Sequence, residues 1–421
     1  MELIIKQATI LSSTSSFHKK KMDIHIKNGK IENIQKKLDI PPKAKVLEGK
    51  NLHCTIGLMD IGTHNGEPGF EHRETLASLC KAAKAGGYTK ILPFPNTFPY
   101  IQTKSDLQYL IQKGKENGLQ ILPIGALSQD GKGVDIAEFY DMFSAGAIGF
   151  SDGLRACENS GLLMRALLYV KTFNGIIIHH PDDKTLREKG MVHEGFISTT
   201  LGLKGVPSIA ELAHVQRDIL LQEYTNSRML IHAISSKEAA DLLNKEKKKR
   251  EKLFVSVPYL NLIATDKKIE DFNVDYKVRP VLREEEDRKS LVKALQNQTI
   301  DAVVSNHTPI DEDGKKVEFP YADYGAGGIE TAFIATLEVL QDKIEMDVLV
   351  SAFNEGPRKI FNLPVPAIEV GQEAELCIFD TASKHTFLTS FSGSANNPFL
   401  GKTFSTQIKA TILGNEMYLA S

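Results

Sequence analysis

Read as apolar against polar positions, the middle of the chain repeats one phrase. A short apolar run ends in polar residues, and a stretch with helical spacing follows. The runs are IGLMDIGTH, TKILPFPNT, LQILPIGALS, AIGFSD, GIIIHH, RMLIHAIS, KLFVSVPY and IDAVVSNH. Between them, HRETLASLCKAAKAGG places Leu76, Leu79, Cys80 and Ala83 on one face and ends at Gly86-Gly87. SIAELAHVQRDILLQEYT carries Ile209, Leu212, Ala213, Gln216, Ile219 and Leu220 in helical spacing, the apolar face expected of a second helix.

Eight such units predict a (β/α)8 barrel in preference to a doubly wound sheet, which usually has fewer strands. The two ends of the chain read differently. LIIKQATIL, MDIHIKNGKIENIQ and AKVLEGK are short strands, with an Asn-Gly hairpin turn inside KNGK. The tail repeats the style in AELCIFD and STQIKATILGNEMYL, with a Gly-Asn turn at 414 and 415. The expected organisation is a β-sandwich built from residues 1–51 and 367–421 around a barrel spanning 52–366.

Composition narrows the classes without choosing among them. The chain is 42% hydrophobic and 25% charged, as an ordinary globular protein is. Lys and Arg number 51 against 53 Asp and Glu, so no basic excess points to nucleic acid. The four cysteines are scattered without a CxxC pair, which predicts a reducing, cytoplasmic setting and no disulfide framework. The N-terminus lacks the order of a signal peptide, and no stretch approaches the roughly 18 apolar residues of a membrane span. The charge run NKEKKKREK at 244–252 reads as a solvated helix face.

In a (β/α)8 barrel, chemistry sits at the C-terminal ends of the strands. Those ends carry His64, Asn96, Ser128, Asp152, His179-His180, His232, Tyr259 and Asn306-His307. YGAGGIET at 324–331 has the look of a phosphate cradle, but no P-loop lysine follows it.

The motifs resemble a known family. GLMDIGTHNGEPGFEHRETLASLCKAAKAGGYTKILPFPNT is similar to the opening of the dihydroorotases, in the cyclic-amidohydrolase branch of the amidohydrolase superfamily. The resemblance continues through AIGFSDG, IIIHHPDD, KVRPVLREEEDRKSLVKAL, TIDAVVSNHTP, YGAGGIETAF and SGSANNPFLGK, so it covers essentially the whole chain. It implies reversible ring closure of carbamoyl-aspartate in pyrimidine synthesis. That chemistry uses metal-activated water, a carboxylate at the eighth strand and a cation for the substrate carboxylate.

Taken position by position, the resemblance makes His64, Asp152 and His179 metal ligands and turns His180 to the other face. It makes Asn96 a substrate contact. Asp60, Gly62 and His64 share a face by the period of two, and Gly62 stands where the first histidine ligand belongs. Gly66 replaces the substrate arginine, and Ala233 falls at the sixth-strand ligand position with His232 one residue off. Arg279 replaces a substrate-binding asparagine, Asn306 replaces the catalytic aspartate, and Ile310 replaces a further histidine.

Ligand, base and substrate clamp are therefore altered together. One expectation is a non-catalytic homologue without metal that acts as a structural or regulatory partner, as dead relatives do for aspartate carbamoyltransferase. The other is an active cyclic amidohydrolase with one zinc on His64, Asp152 and His179, in which Arg279 supplies the missing cation. A homodimer is expected in either case.

Overall fold

The computed structural model describes residues 2–394 and 396–420. Eight parallel strands form the central barrel: Leu58–Thr63, Tyr88–Pro93, a third strand in two pieces (Gln120–Ile121 and Ile124–Ala126), Gly149–Ser151, Ile176–His179, Arg228–Ile231, Leu253–Pro258 and Ala302–Val304. Seven lie inside predicted runs, and Tyr88–Pro93 starts one residue before its run. His64 N–H donates to the His307 carbonyl at 2.9 Å, joining the ends of the first and eighth strands.

Side chains sort into two layers. Met59, Ile61, Leu92, Ile124, Ile178, Leu230 and Val304 fill the barrel interior. Leu58, Ile91, Ile177, Met229, Ile231 and Val303 point outward into the layer beneath the helices. Helix Leu76–Ala85 buries the predicted face of Leu76, Leu79, Cys80 and Ala83 and ends at Gly86.

Helix Ile209–Thr225 departs from expectation. Of the predicted face only Ile219 is buried, while Ile209 is 49% and Leu220 65% exposed. The buried face carries Glu211, His214, Asp218 and Gln222 instead. Three of these polar groups have partners that offset their desolvation. Asp218 meets His179, Glu211 accepts from the backbone N–H groups of Ser235 and Ser236, and Gln222 donates to the Ser227 carbonyl.

The chain ends pair as predicted. The β-rich unit is one folded-over sheet in the order Glu416–Leu419, Gln407–Leu413, Glu375–Asp380, Leu52–Ile56, Glu2–Leu11, Lys21–Lys27 and Lys30–Gln35. Lys45–Leu47 also pairs with Glu2–Leu11. The long first strand changes partner along its length, pairing with Lys45–Leu47 near Ile4 and with Leu52–Ile56 near Ile10. An irregularity between Ile5 and Ala8 marks the change. The fold-over encloses Leu3, Ile10, Ile24, Cys54, Leu376 and Ile412 in a core separate from the barrel. Because Leu52–Ile56 pairs here, the chain passes into the barrel at Gly57, later than the boundary read from the sequence. No described helix is long and apolar enough to cross a membrane.

Candidate active site

At the mouth of the barrel the first strand breaks its alternation. Gly62 has φ +80°, and the strand's register shifts between Ile61 and Thr63. Ile61 points inward, and so would a side chain at 62, whose Cβ would meet Phe94 and His232. Two successive inward positions are the signature of a bulge. The expectation that Asp60 shares the inner face is therefore wrong. Asp60 lies in the outer layer, where its carboxylate accepts from Ser305 N–H at 2.7 Å and Ser305 Oγ–H at 2.6 Å.

The fifth strand corrects a second assignment. His179 follows the outward parity of Ile177. Its Nδ1 lies 2.6 Å from Asp218 Oδ2, and its Nε2 accepts from Cys157 N–H at 2.9 Å. With both nitrogens engaged outside the barrel, His179 is not a mouth ligand. His180 follows Ile176 and Ile178 to the inner side, where its Nδ1 lies 3.1 Å from the His232 carbonyl.

The sixth strand repeats the reversal. His232, not Ala233, follows Leu230 inward. Its Nδ1 contacts Ser256 Oγ at 3.0 Å, and its Nε2 is buried without a hydrogen-bond partner. Ala233 takes φ +62° as the strand ends. Strands buried on both faces have no polar–apolar alternation, so the parity of His179 and His232 had no signal in the sequence.

His64, His180 and His232 thus come to the mouth from three strands. Burial pushes the His64 imidazole down to about 4, with His307 adding to the effect. Burial also lowers His180 and holds His232 well below its ordinary value. All three are neutral imidazoles at pH 7, the form that ligates metals. Around them lie buried polar atoms with no partner: Thr63 Oγ1, His64 Nε2, Asn65 Oδ1, Asn96 Oδ1, His232 Nε2 and Asn306 Oδ1. Native interiors leave few such atoms, so this concentration marks a place built to receive a polar ligand.

The remaining predicted residues take other roles. Asp152 is no bridging carboxylate, because its oxygens accept from Leu127 N–H, Ser128 N–H and Ser128 Oγ–H and tie it to the third strand. Asn96 donates to Tyr100 OH at 2.7 Å and to the Asp152 carbonyl at 3.1 Å. Asn306, at φ +47°, donates from Nδ2 to the Arg279 carbonyl at 2.8 Å. The Arg279 guanidinium stacks 4.1 Å over Tyr324 and reaches Asp182 at 3.5 Å. Arg187 binds the same Asp182 at 2.8 Å, so two cations share one carboxylate. His180, Asp182, Arg187 and Arg279 line one recess, and a cavity of about 190 Å³ that shares Asp182 and Arg187 with it bears Asp152, Arg155 and Lys184. At Gly66 a Cβ would stand 2.2 Å from the Phe70 carbonyl oxygen and 2.4 Å from that of Glu74, so no arginine can occupy this position.

A two-metal centre does not fit these residues. Gly62 offers no atom, Asp152 is committed to Ser128, and Asn306 presents an amide. One metal on three imidazoles fits by donor chemistry, although the Phe94 ring stands edge-on to both His64 and His232. Among the described residues, one group of three His, Cys, Asp or Glu side chains brings its donor atoms within 4.8 Å of one another. It is Glu158, Asp183 and His214, on the rim between the fourth and fifth strands.

Comparison with known proteins agrees with this architecture. The family model described as Dihydro-orotase-like matches residues 53–239. The dihydroorotase of Syntrophus aciditrophicus is 33% identical over 98% of this chain and 98% of its own. That of Ruminiclostridium cellulolyticum is 34% identical, covering 98% and 97%. Among solved structures, the L-hydantoinase (dihydropyrimidinase) of Arthrobacter aurescens superposes with a TM-score of 0.85 at 21% identity, covering 100% of this chain and 97% of that one. The dihydropyrimidinase of Brevibacillus agri gives 0.82 at 19% identity, covering 100% and 95%. These latter two speak for the fold, a barrel with a β-sandwich. With relatives this similar over nearly its whole length, the chain belongs to the dihydroorotase family.

Proposed function

We propose that the barrel mouth is a dihydroorotase-type site in pyrimidine synthesis. It takes a small cyclic amide bearing a carboxylate, with one zinc held by His64, His180 and His232. The observation that carries this reading is the set of three inward, neutral imidazoles, two with an unsatisfied Nε2. Three histidines with an open fourth position suit catalytic zinc. Zinc bound there would polarise an amide carbonyl and lower the pKa of a water molecule.

The chain's own groups supply binding. Arg187 and Arg279 together exceed the charge of Asp182 and face the recess beside His180, so a substrate carboxylate finds a net positive wall. The free Oδ1 atoms of Asn96 and Asn306 accept hydrogen bonds from amide N–H groups of a ring. Asn306 cannot take up a proton, and losing a general base costs roughly 10²–10⁴ in rate. Slow turnover is the expectation. The test is zinc content of the purified protein together with dihydroorotate hydrolysis. About one zinc per chain, lost in His180→Ala, supports the reading; a folded protein that takes up no zinc when supplied with it overturns it.

A second reading has its own observation. Ile209, Leu220 and Tyr224 line the outer face of helix Ile209–Thr225, with Tyr224 75% exposed. Apolar groups in a row on an outer helix suit a docking role. Under this reading the chain is a non-catalytic partner, of aspartate carbamoyltransferase or of a second copy of itself. Sedimentation alone and with aspartate carbamoyltransferase from the same organism tests it. A monomer in both, unchanged by Leu220→Lys, removes it.

A further inference from the structure

We infer that Phe94 decides whether the mouth can load a metal ion, because its ring packs against both His64 and His232. This rests on the reading of His64, His180 and His232 as donors. The ring is 1% exposed and stands edge-on to both imidazoles, with centroids 5.6 Å from His64 and 5.1 Å from His232. It also fills the volume in front of the first strand. A Cβ at Gly62 would lie 2.5 Å from Phe94 Cε2, 2.6 Å from Cζ and 3.0 Å from His232 Cε1. The bare glycine and the bulky ring share one volume.

The backbone of Phe94 is pinned. Its N–H donates to the Thr63 carbonyl at 2.9 Å, and prolines flank it at 93 and 95. Any opening of the mouth is therefore a rotation of the ring about its own side-chain bonds. With the ring in place, the three histidines do not gather their donor atoms within 4.8 Å of one another. An ion entering between His64 and His232 has to displace it. Phe94 thus lowers apparent metal affinity by the fraction of time the ring is turned aside.

The experiment is cobalt titration of the full chain, read by visible ligand-field absorption and by equilibrium dialysis. Wild type, Phe94→Leu, Phe94→Ala and Phe94→Ala/His232→Ala are compared, each checked for native thermal unfolding. Phe94→Leu keeps an apolar filler should the alanine variant fold poorly. The expected result is tightening of about tenfold or more in Phe94→Ala, the effect of removing a closed state occupied roughly nine-tenths of the time. Phe94→Leu should fall between, and the added His232→Ala should abolish the signal. Equal cobalt affinity in wild type and both single variants, still abolished by His232→Ala, would overturn the role of Phe94 and leave the donor set standing. Folded single variants that bind no cobalt would overturn the donor set, and the inference with it.

Discussion

His179 Nδ1 and Asp218 Oδ2 meet at 2.6 Å on the outer face of the fifth strand, one residue before His180 turns inward. Two adjacent histidines thereby separate their work. His179 locks helix Ile209–Thr225 to the barrel, and its hydrogen bond, together with Arg217, helps hold Asp218 below the usual carboxylate range. His179→Ala leaves Asp218 with Arg217 as its remaining partner and should cost about 2 kcal/mol in urea unfolding, as for a hydrogen bond to a charged group. Metal uptake should survive. His180→Ala should do the reverse. If instead His179→Ala abolishes metal binding in a folded protein, the parity assigned to the fifth strand is wrong.

Restoring the family's first-strand histidine should fail when made alone. Gly62→His forces a side chain into the Phe94 ring at a position of positive φ. Overpacking and backbone strain together predict a loss of about 2–4 kcal/mol. The pair Gly62→His and Phe94→Ala should recover part of it, because each change makes room for the other. Chemical denaturation of the two singles and the double gives the coupling directly, and additive losses would show that the two residues do not share a volume.

Much of this was open to a reader of the sequence. The eight apolar runs ending in polar residues became the eight strands. Asn28 and Gly29, both at positive φ, make the hairpin turn predicted at KNGK. What could not be read was direction. Ile176, Ile177 and Ile178 are all buried, as are Met229, Leu230 and Ile231, so no alternation says which neighbouring residue faces the mouth. The bulge at Gly62 then breaks the period of two where it mattered most. Helix Ile209–Thr225 misled for the opposite reason. Its buried face carries polar groups because the fifth strand and the segments flanking the sixth supply partners no local pattern reveals.

Asp60 gives the fold a pH signature. Burial raises its carboxyl to about 6 against the opposing hydrogen bonds from Ser305. An acid with a higher pKa folded than unfolded binds more protons in the native state. Its contribution is complete below the unfolded value of about 4 and is lost as pH rises through the folded value. The loss reaches about 3 kcal/mol. Asp60→Asn cannot ionise, so the stability of wild type relative to this variant should fall across that window and level off above it. Urea unfolding at a series of pH values checks this, and a flat difference would refute it.

Arg279 is held by stacking on Tyr324 and a loose contact with Asp182, so its charge remains available to a ligand. Arg279→Gln should weaken dihydroorotate binding by about 10–100-fold, the worth of a charge-assisted contact. Cobalt affinity should be unchanged. Calorimetry on the metal-loaded protein separates the two, and undiminished ligand binding would remove Arg279 from the site.

Asn306→Asp tests whether the eighth strand still has room for the family's carboxylate. Asn306 donates to the Arg279 carbonyl, and aspartate would set an acceptor against that acceptor. The lost bond and the exposed conflict predict a cost of about 1–3 kcal/mol. Protonation relieves the conflict, since a carboxylic acid can donate where the amide did, so the new group's pKa is raised by folding. The penalty should then be smallest in acid and grow as pH rises through the folded pKa. Zinc would give the carboxylate a counter-charge, so saturating metal should shrink the penalty at neutral pH. Unfolding curves at acid and mildly alkaline pH, with and without zinc, read all three effects. A variant equally stable at every pH, and turning over dihydroorotate near the ordinary enzyme median of about 10 s⁻¹, would mean that this mouth was one residue from full activity.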